Sequence, residues 1–89
     1  MDILERVKGL IQEGRVLEAE DLLRSFPDKP TWPYWQLDAT IKQKKQLWGE
    51  AMNSYQKVLE LDPGNKEAKV QLEFIRNILN FWNPEMFNP

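Results

Sequence analysis

The sequence predicts an all-α fold built from stacked helix-turn-helix units, and three observations support this prediction. Apolar residues recur every three or four positions in five separate segments, which is the spacing of a helix face. No segment favours a strand over a helix. The apolar pattern of one helix also returns 32 positions later, which indicates an internal repeat.

The first helix is expected to begin after Asp2 and to end at Gly14. Asp2 and Glu5 form an Asp-x-x-Glu pattern similar to a capping box, in which the Asp side chain accepts backbone N–H bonds. Gly14 can end the helix because glycine readily adopts the left-handed conformation. The second helix is expected over residues 16–26, where Pro27 stops it.

The third helix follows a connecting turn at residues 27–33, which hold three prolines. Thr31 or Trp32 is expected to cap this helix, and Pro33 is tolerated in its first turn. The helix closes with three lysines, at the end where the helix dipole favours cations: Lys42, Lys44 and Lys45.

The fourth helix is expected over residues 48–61, and the fifth over residues 66–81. The turn Asp62-Pro63-Gly64-Asn65 separates them, with Asn65 as the cap of the fifth helix. An aromatic tail at residues 82–89 completes the chain. This tail is expected to pack on the fifth helix and on the rim of a groove. The alternative is that a partner peptide or a second copy of the chain covers that face of the fifth helix.

Composition bounds the function before any motif is considered. A chain of 89 residues supports one domain, 1–89, because two separate cores would each be too small. Without cysteine or histidine it has no thiolate nucleophile, imidazole base or zinc cluster. We therefore expect no enzyme activity, no cofactor and no metal. The net charge of −2 argues against nucleic-acid or membrane partners, and the absence of a leader or membrane-span pattern favours the cytoplasm.

The internal repeat relates the second and fourth helices. Each matched position is displaced by 32 residues: Val16, Ala19, Leu23 and Phe26 correspond to Trp48, Ala51, Tyr55 and Val58. A single helix-turn-helix unit cannot bury its apolar face alone, so the two units are expected to stack on each other.

Residues 48–63 resemble the second helix and closing turn of the tetratricopeptide repeat (TPR) family, whose motif spans about 34 residues. Placing Pro63 at the family's closing proline puts Trp35 at its aromatic site and Ala39 at its small-residue site. Residues 14–19 are similar to the family's inter-helix turn, and the tail is similar to the aromatic tails of some small bacterial members.

The resemblance implies a right-handed solenoid of two TPR-like units, 2–31 and 32–65, followed by a capping helix at 66–81 and the tail. Four positions depart from the family pattern. Glu73 stands where a small residue would let a further partner helix approach. Gln46 stands where a turn glycine is usual, and Asp38 and Lys42 stand where leucine and an aromatic are preferred.

The resemblance also implies non-catalytic binding of a protein or peptide in a concave groove. On the family register, one wall of this groove carries seven residues: Gln36, Leu37, Thr40, Lys44, Val70, Phe74 and Ile78. Leu4, Lys8 and Ile11 are expected across the groove. The lysine and asparagine clamps with which some members hold a C-terminal carboxylate are not matched at Gln36, Leu37 and Thr40.

Two further roles stay open at this point. The fifth helix is apolar on both faces, so the chain could self-associate as a homodimer with no foreign ligand. The lysine cluster at residues 42–45 either recognises a phosphate or an acidic peptide, or only compensates the helix dipole and aids solubility.

Overall fold

The computed structural model describes residues 2–26 and 31–82, and this part of the chain forms five α-helices and no strand. The helices are α1 (Ile3–Gln12), α2 (Val16–Arg24), α3 (Trp32–Lys44), α4 (Trp48–Leu61) and α5 (Lys66–Trp82). The predicted all-α class is therefore confirmed. None of the described helices is long and apolar enough to cross a membrane. The predicted packing of the tail concerns residues that, past Trp82, lie outside the described part of the chain.

Side-chain caps begin two of the helices as the sequence predicts. The carboxylate Oδ1 of Asp2 accepts a hydrogen bond from the backbone N–H of Leu4 at 3.1 Å. Asn65 Oδ1 accepts one from the N–H of Ala68 at 2.9 Å. Of the two candidates before α3, it is Thr31 that takes the N-cap position, with an extended backbone. Asp2 and Asn65 each supply a side-chain acceptor to a backbone N–H that lacks an intrahelical partner, whereas the Thr31 side chain makes no capping hydrogen bond.

Helix α2 is shorter than predicted, since it ends at Arg24 instead of Phe26. The N–H groups of Ser25 and Phe26 bond to carbonyls only three residues earlier, at Leu22 and Leu23, both at 3.1 Å. The last turn is therefore tighter than an α-helix. The proline after Phe26 explains the early end, because the residue before a proline avoids the helical region.

The turns α1–α2 and α3–α4 have the same backbone geometry, 32 positions apart. Gly14 and Gln46 both adopt positive φ angles, 80° and 63°. Both turns also have the hydrogen-bond pattern of a Schellman motif. Gly14 N–H bonds to Ile11 O at 3.0 Å and Arg15 N–H to Leu10 O at 2.8 Å, while Gln46 N–H bonds to Gln43 O at 3.0 Å and Leu47 N–H to Lys42 O at 2.9 Å. The repeat seen in the sequence is thus also a repeat of local structure.

Two apolar clusters form the core, one on each side of α3. The first lies among α1, α2 and α3, and its buried members are Val7, Ile11, Ala19, Leu23 and Ile41. The second lies among α3, α4 and α5, and its buried members are Ala39, Ala51, Tyr55, Val58, Ala68, Leu72 and Ile75. Helix α3 therefore joins the two halves of the molecule.

The position of α3 between the clusters explains its apolar pattern. Ile41 is fully buried in the first cluster and Ala39 in the second. Leu37 packs on the first cluster and Trp35 on the second. Residues two apart on a helix point about 200° away from each other, so alternating apolar residues serve two opposite faces.

Alanines occupy fully buried positions where helices pack together. Ala19 in α2, Ala39 in α3, Ala51 in α4 and Ala68 in α5 all have no exposed surface. A small side chain lets neighbouring helix backbones approach closely, and a larger one would have to displace them. Ala19 and Ala51 are the positions that the 32-residue repeat matches.

Candidate functional site

An open groove of about 520 Å³ lies between α1 and α3 and extends to the first turn of α5. Its apolar lining residues are Leu4, Ile11, Trp32, Pro33 and Leu37. Its polar lining residues are Asp2, Glu5, Lys8, Gln12, Gln36, Thr40 and Glu67. The volume lies within the range of typical ligand sites, and apolar walls with a few polar groups are typical of such sites.

Helical periodicity brings the lining residues of each helix onto one face. On α1, Leu4, Lys8 and Ile11 are spaced by four and three residues. On α3, Gln36 and Thr40 are likewise one turn apart. The walls are thus rigid helical elements whose inner faces are held by the first core cluster, to which several of these side chains belong or pack.

Hydrogen bonds fix the polar edge of the groove. Gln36 Nε2 donates to Glu67 Oε2 at 2.6 Å, and Gln36 Oε1 accepts from Asn65 Nδ2 at 3.1 Å. The hydroxyl of Thr40 donates to the backbone carbonyl of Gln36 at 2.9 Å. The two bonds of the Gln36 side chain connect α3 to the start of α5, so the carboxylate of Glu67 is held at the groove edge.

A second concavity of about 280 Å³ adjoins the groove and shares Thr40 and Glu67 with it. Lys44, Gln43, Tyr55 and Gln71 complete its lining. The Tyr55 hydroxyl donates to Gln43 Oε1 at 2.8 Å, and Gln43 Nε2 donates to Gln71 Oε1 at 2.9 Å. Burial raises the pKa of the Tyr55 hydroxyl above its usual value, because the charged form is poorly solvated there.

The structure brings together some of the predicted groove residues and separates others. Gln36, Leu37 and Thr40 line the groove opposite the predicted residues of α1, and Lys44 lines the second concavity. None of the three predicted α5 residues is among the lining residues of these two concavities: Val70, Phe74 and Ile78.

The orientation of α5 explains this separation. Ala68, Leu72 and Ile75 turn one face of α5 toward α4 and are buried there. Val70 and Phe74 lie on another face and are 62% and 50% exposed. Glu67 and Gln71, by contrast, are the α5 side chains that face α3.

Several lining residues were not predicted as site residues. Glu5 and Gln12 lie on the α1 face that also carries Lys8, at helical spacing from it, so the register of α1 would have included them. Glu67 lies one turn before Gln71, but only the contact between α3 and α5 places it at the groove. Trp32, which the connecting turn leaves 39% exposed, also lines the groove.

Two of the three lysines at the end of α3 form ion pairs within the chain. Lys42 Nζ lies 3.2 Å from Asp38 Oδ1, and Lys45 Nζ lies 3.0 Å from both carboxylate oxygens of Glu20. The Lys45 hydrogen bond holds the pKa of the Glu20 carboxyl below its usual value. These contacts make Lys42 and Lys45 part of the helix packing, and they weaken the case for the cluster as an anion-recognition site.

Asp38 connects the first of these pairs to α4. Its Oδ2 atom accepts a hydrogen bond of 2.6 Å from the hydroxyl of Ser54, which is only 4% exposed. Asp38 thus joins Lys42, on its own helix, to Ser54 on α4 through polar contacts.

Comparisons with protein-family models, with curated proteins and with solved structures give no match to this chain. Among the described residues, no group of three or more carboxylates is placed to hold a metal ion. The groove offers apolar surface, amides, a hydroxyl and carboxylates on helical walls. These groups can bury apolar surface, form hydrogen bonds and carry charge.

Proposed function

We propose that this chain is a non-catalytic peptide-binding module of the TPR type. In this proposal two helix pairs, α1–α2 and α3–α4, stack in a right-handed solenoid that α5 caps. The matching Schellman turns at Gly14 and Gln46 and the buried alanines at equivalent positions support it. Such stacks leave one extended concave surface open for a partner.

The observation that carries the proposal is the open groove between α1 and α3 with its apolar floor. A partner segment, extended or helical, would place apolar side chains against Leu4, Ile11 and Leu37. Each 100 Å² of apolar surface removed from water contributes roughly 2.5 kcal/mol before ordering costs. Gln36 and Thr40 would set the orientation of the bound segment, because their side chains are already held by hydrogen bonds.

A selection from a random peptide display library on the full chain tests this function. The parent protein should enrich a defined group of peptides, and Leu37→Glu should abolish their binding. The matched control is Leu17→Glu, a leucine on α2 that is 68% exposed and does not line the groove. It should bind the selected peptides as the parent does.

Leu37 also packs on the first core cluster, so a second variant separates binding from folding. Trp32→Ala changes a partly exposed groove residue. We expect this variant to bind the selected peptides at least about tenfold more weakly, with little change in melting temperature. Peptides that bind both groove variants and the parent equally would show that the groove is not the binding site.

Self-association is the second candidate function, and the exposed apolar face of α5 favours it. Val70 and Phe74 present large apolar side chains to solvent, one helical turn apart. Two copies could bury these faces against each other as an isologous dimer. Light scattering coupled to size exclusion over a wide concentration range tests this: a dimer of the parent that Phe74→Glu converts to a monomer would support it.

A further inference from the structure

We infer that the groove between α1 and α3 prefers peptides that carry lysine or arginine beside their apolar anchor residues. This inference rests on the proposed peptide-binding function and adds the chemical class of the partner. It follows from the charges that surround the apolar floor. Three carboxylates line the groove, Asp2, Glu5 and Glu67, against a single cation, Lys8, in the same lining.

The carboxylates remain able to accept hydrogen bonds from a partner. Asp2 uses one oxygen to cap α1, and Glu67 uses one to hold Gln36. A carboxylate has two oxygens with about four acceptor positions, so one intramolecular bond leaves room for a cation. The helix N-termini near the groove each add about half a positive charge, which offsets the carboxylates only in part.

The neighbouring lysines do not reverse this balance at the apolar floor. Lys42 and Lys45 are paired with Asp38 and Glu20, away from the groove lining. Lys44 lines the adjoining concavity, beyond Thr40 and Glu67. The surface is thus acidic beside the apolar floor, whereas in the adjoining concavity Lys44 balances the shared Glu67.

Charge complementarity of this kind acts mainly on specificity. Each contact between opposite exposed charges at the rim raises the affinity about two- to fivefold. Two like charges placed together lower the affinity by a similar factor. A basic peptide should therefore bind more tightly than its glutamine counterpart, and an acidic counterpart should bind more weakly than both.

The test uses the peptides enriched by display on the full chain. Lysine and arginine should exceed aspartate and glutamate among positions next to the apolar anchors.

For one enriched peptide, synthetic versions with Lys, Gln or Glu at those positions are compared by fluorescence anisotropy. Glu5→Lys should lower the affinity for the Lys version of the peptide at least about threefold and raise the affinity for the Glu version. Glu73→Lys, the same change at an exposed α5 position outside the groove lining, should leave both unchanged.

The outcomes separate this inference from the function on which it rests. Peptides that need Leu37 and Trp32 but show no basic preference would overturn the inference and leave the peptide-binding function standing. A basic preference that Glu73→Lys weakens as much as Glu5→Lys does would also overturn it, because the attraction would then be to the net charge of the chain. If no peptide depends on Leu37 or Trp32, both the function and the inference fail.

Discussion

Gln46 adopts the left-handed backbone conformation that Gly14 adopts 32 residues earlier, with φ angles of 63° and 80°. Both residues end the first helix of a pair, and both turns carry the same two hydrogen bonds back into that helix. The turn geometry is therefore maintained although its residue changes from glycine to glutamine. A residue with a Cβ atom adopts this conformation at a cost of about 1–2 kcal/mol, which the surrounding packing must offset.

Gln46→Gly should stabilise the protein by about 0.5–1 kcal/mol, measured by urea denaturation. Glycine removes the backbone strain at this position, and part of the gain is lost to the greater freedom of the unfolded chain. Gly14→Ala is the reciprocal control, expected to cost about 1 kcal/mol. A Cβ at Gly14 meets no other described atom within 4 Å, so that cost reports backbone conformation alone. Destabilisation by Gln46→Gly would show that the glutamine side chain, not the backbone, matters here.

Ala51→Leu should destabilise the protein by roughly 1–3 kcal/mol, and Ala19→Leu should do the same. Both alanines are fully buried in the two core clusters, and a larger side chain would push the packed helices apart. Thermal denaturation followed by circular dichroism gives the measurement. Asn53→Leu, an exposed position on α4, is the control and should change stability little. Melting temperatures of both alanine variants within a degree of the parent would contradict the repeat alignment.

Ser54→Ala should lower the free energy of unfolding by about 1.5–3 kcal/mol, because it removes a buried hydroxyl that donates to the carboxylate of Asp38 at 2.6 Å. The effect should depend on Asp38. In a double-mutant cycle with Asp38→Ala, the two changes should cost clearly less together than the sum of their separate costs. Additive costs would mean that Ser54 and Asp38 stabilise α3 and α4 independently.

Replacing Lys45 with glutamine should lower stability at neutral pH by less than about 1 kcal/mol, since the pair with Glu20 is partly exposed. The pKa of Glu20 is lower in the folded protein than in the unfolded chain, so this stabilisation is present above the unfolded value. It should disappear as the pH falls through the folded pKa of Glu20, which lies below the usual value of a glutamate carboxyl.

Unfolding curves of the parent and of Lys45→Gln, taken from pH 7 to pH 3, test this prediction. The difference between the two proteins should shrink with falling pH. Lys44→Gln serves as the control, because Lys44 is exposed and the same charge is removed one residue away. If the stability difference between the parent and Lys45→Gln stays constant over this pH range, Lys45 stabilises the protein by something other than its contact with Glu20.

The local sequence was sufficient for the helices and for most of their ends. Asp2 and Asn65 cap α1 and α5, and Gly14 ends α1, because each supplies its hydrogen bond or its conformation within one turn of the chain. The end of α2 was predicted two residues too late. Apolar spacing alone includes Phe26, whereas the backbone tightens before the proline that follows.

The candidate groove was predictable only where one helix register determines it. Helical periodicity places Leu4, Lys8 and Ile11 on one face of α1, and Gln36, Leu37 and Thr40 on one face of α3. The expectation that these faces line a groove came from the resemblance to the TPR family. The pairings of Lys45 with Glu20 and of Gln36 with Glu67 join residues far apart in the chain. No local pattern specifies such contacts, because they depend on how the helices cross.

Propensity and periodicity within single segments were sufficient to predict the all-α class and the 32-residue repeat. The face of α5 that meets the rest of the protein depends instead on tertiary packing. Ala68, Leu72 and Ile75 are buried against α4, and this sets the rotation of α5 about its axis. Glu67 is thereby brought to the groove, while Val70 and Phe74 are left in solvent. On a helix that is apolar on two faces, periodicity offers both orientations, and the packing partner selects one of them.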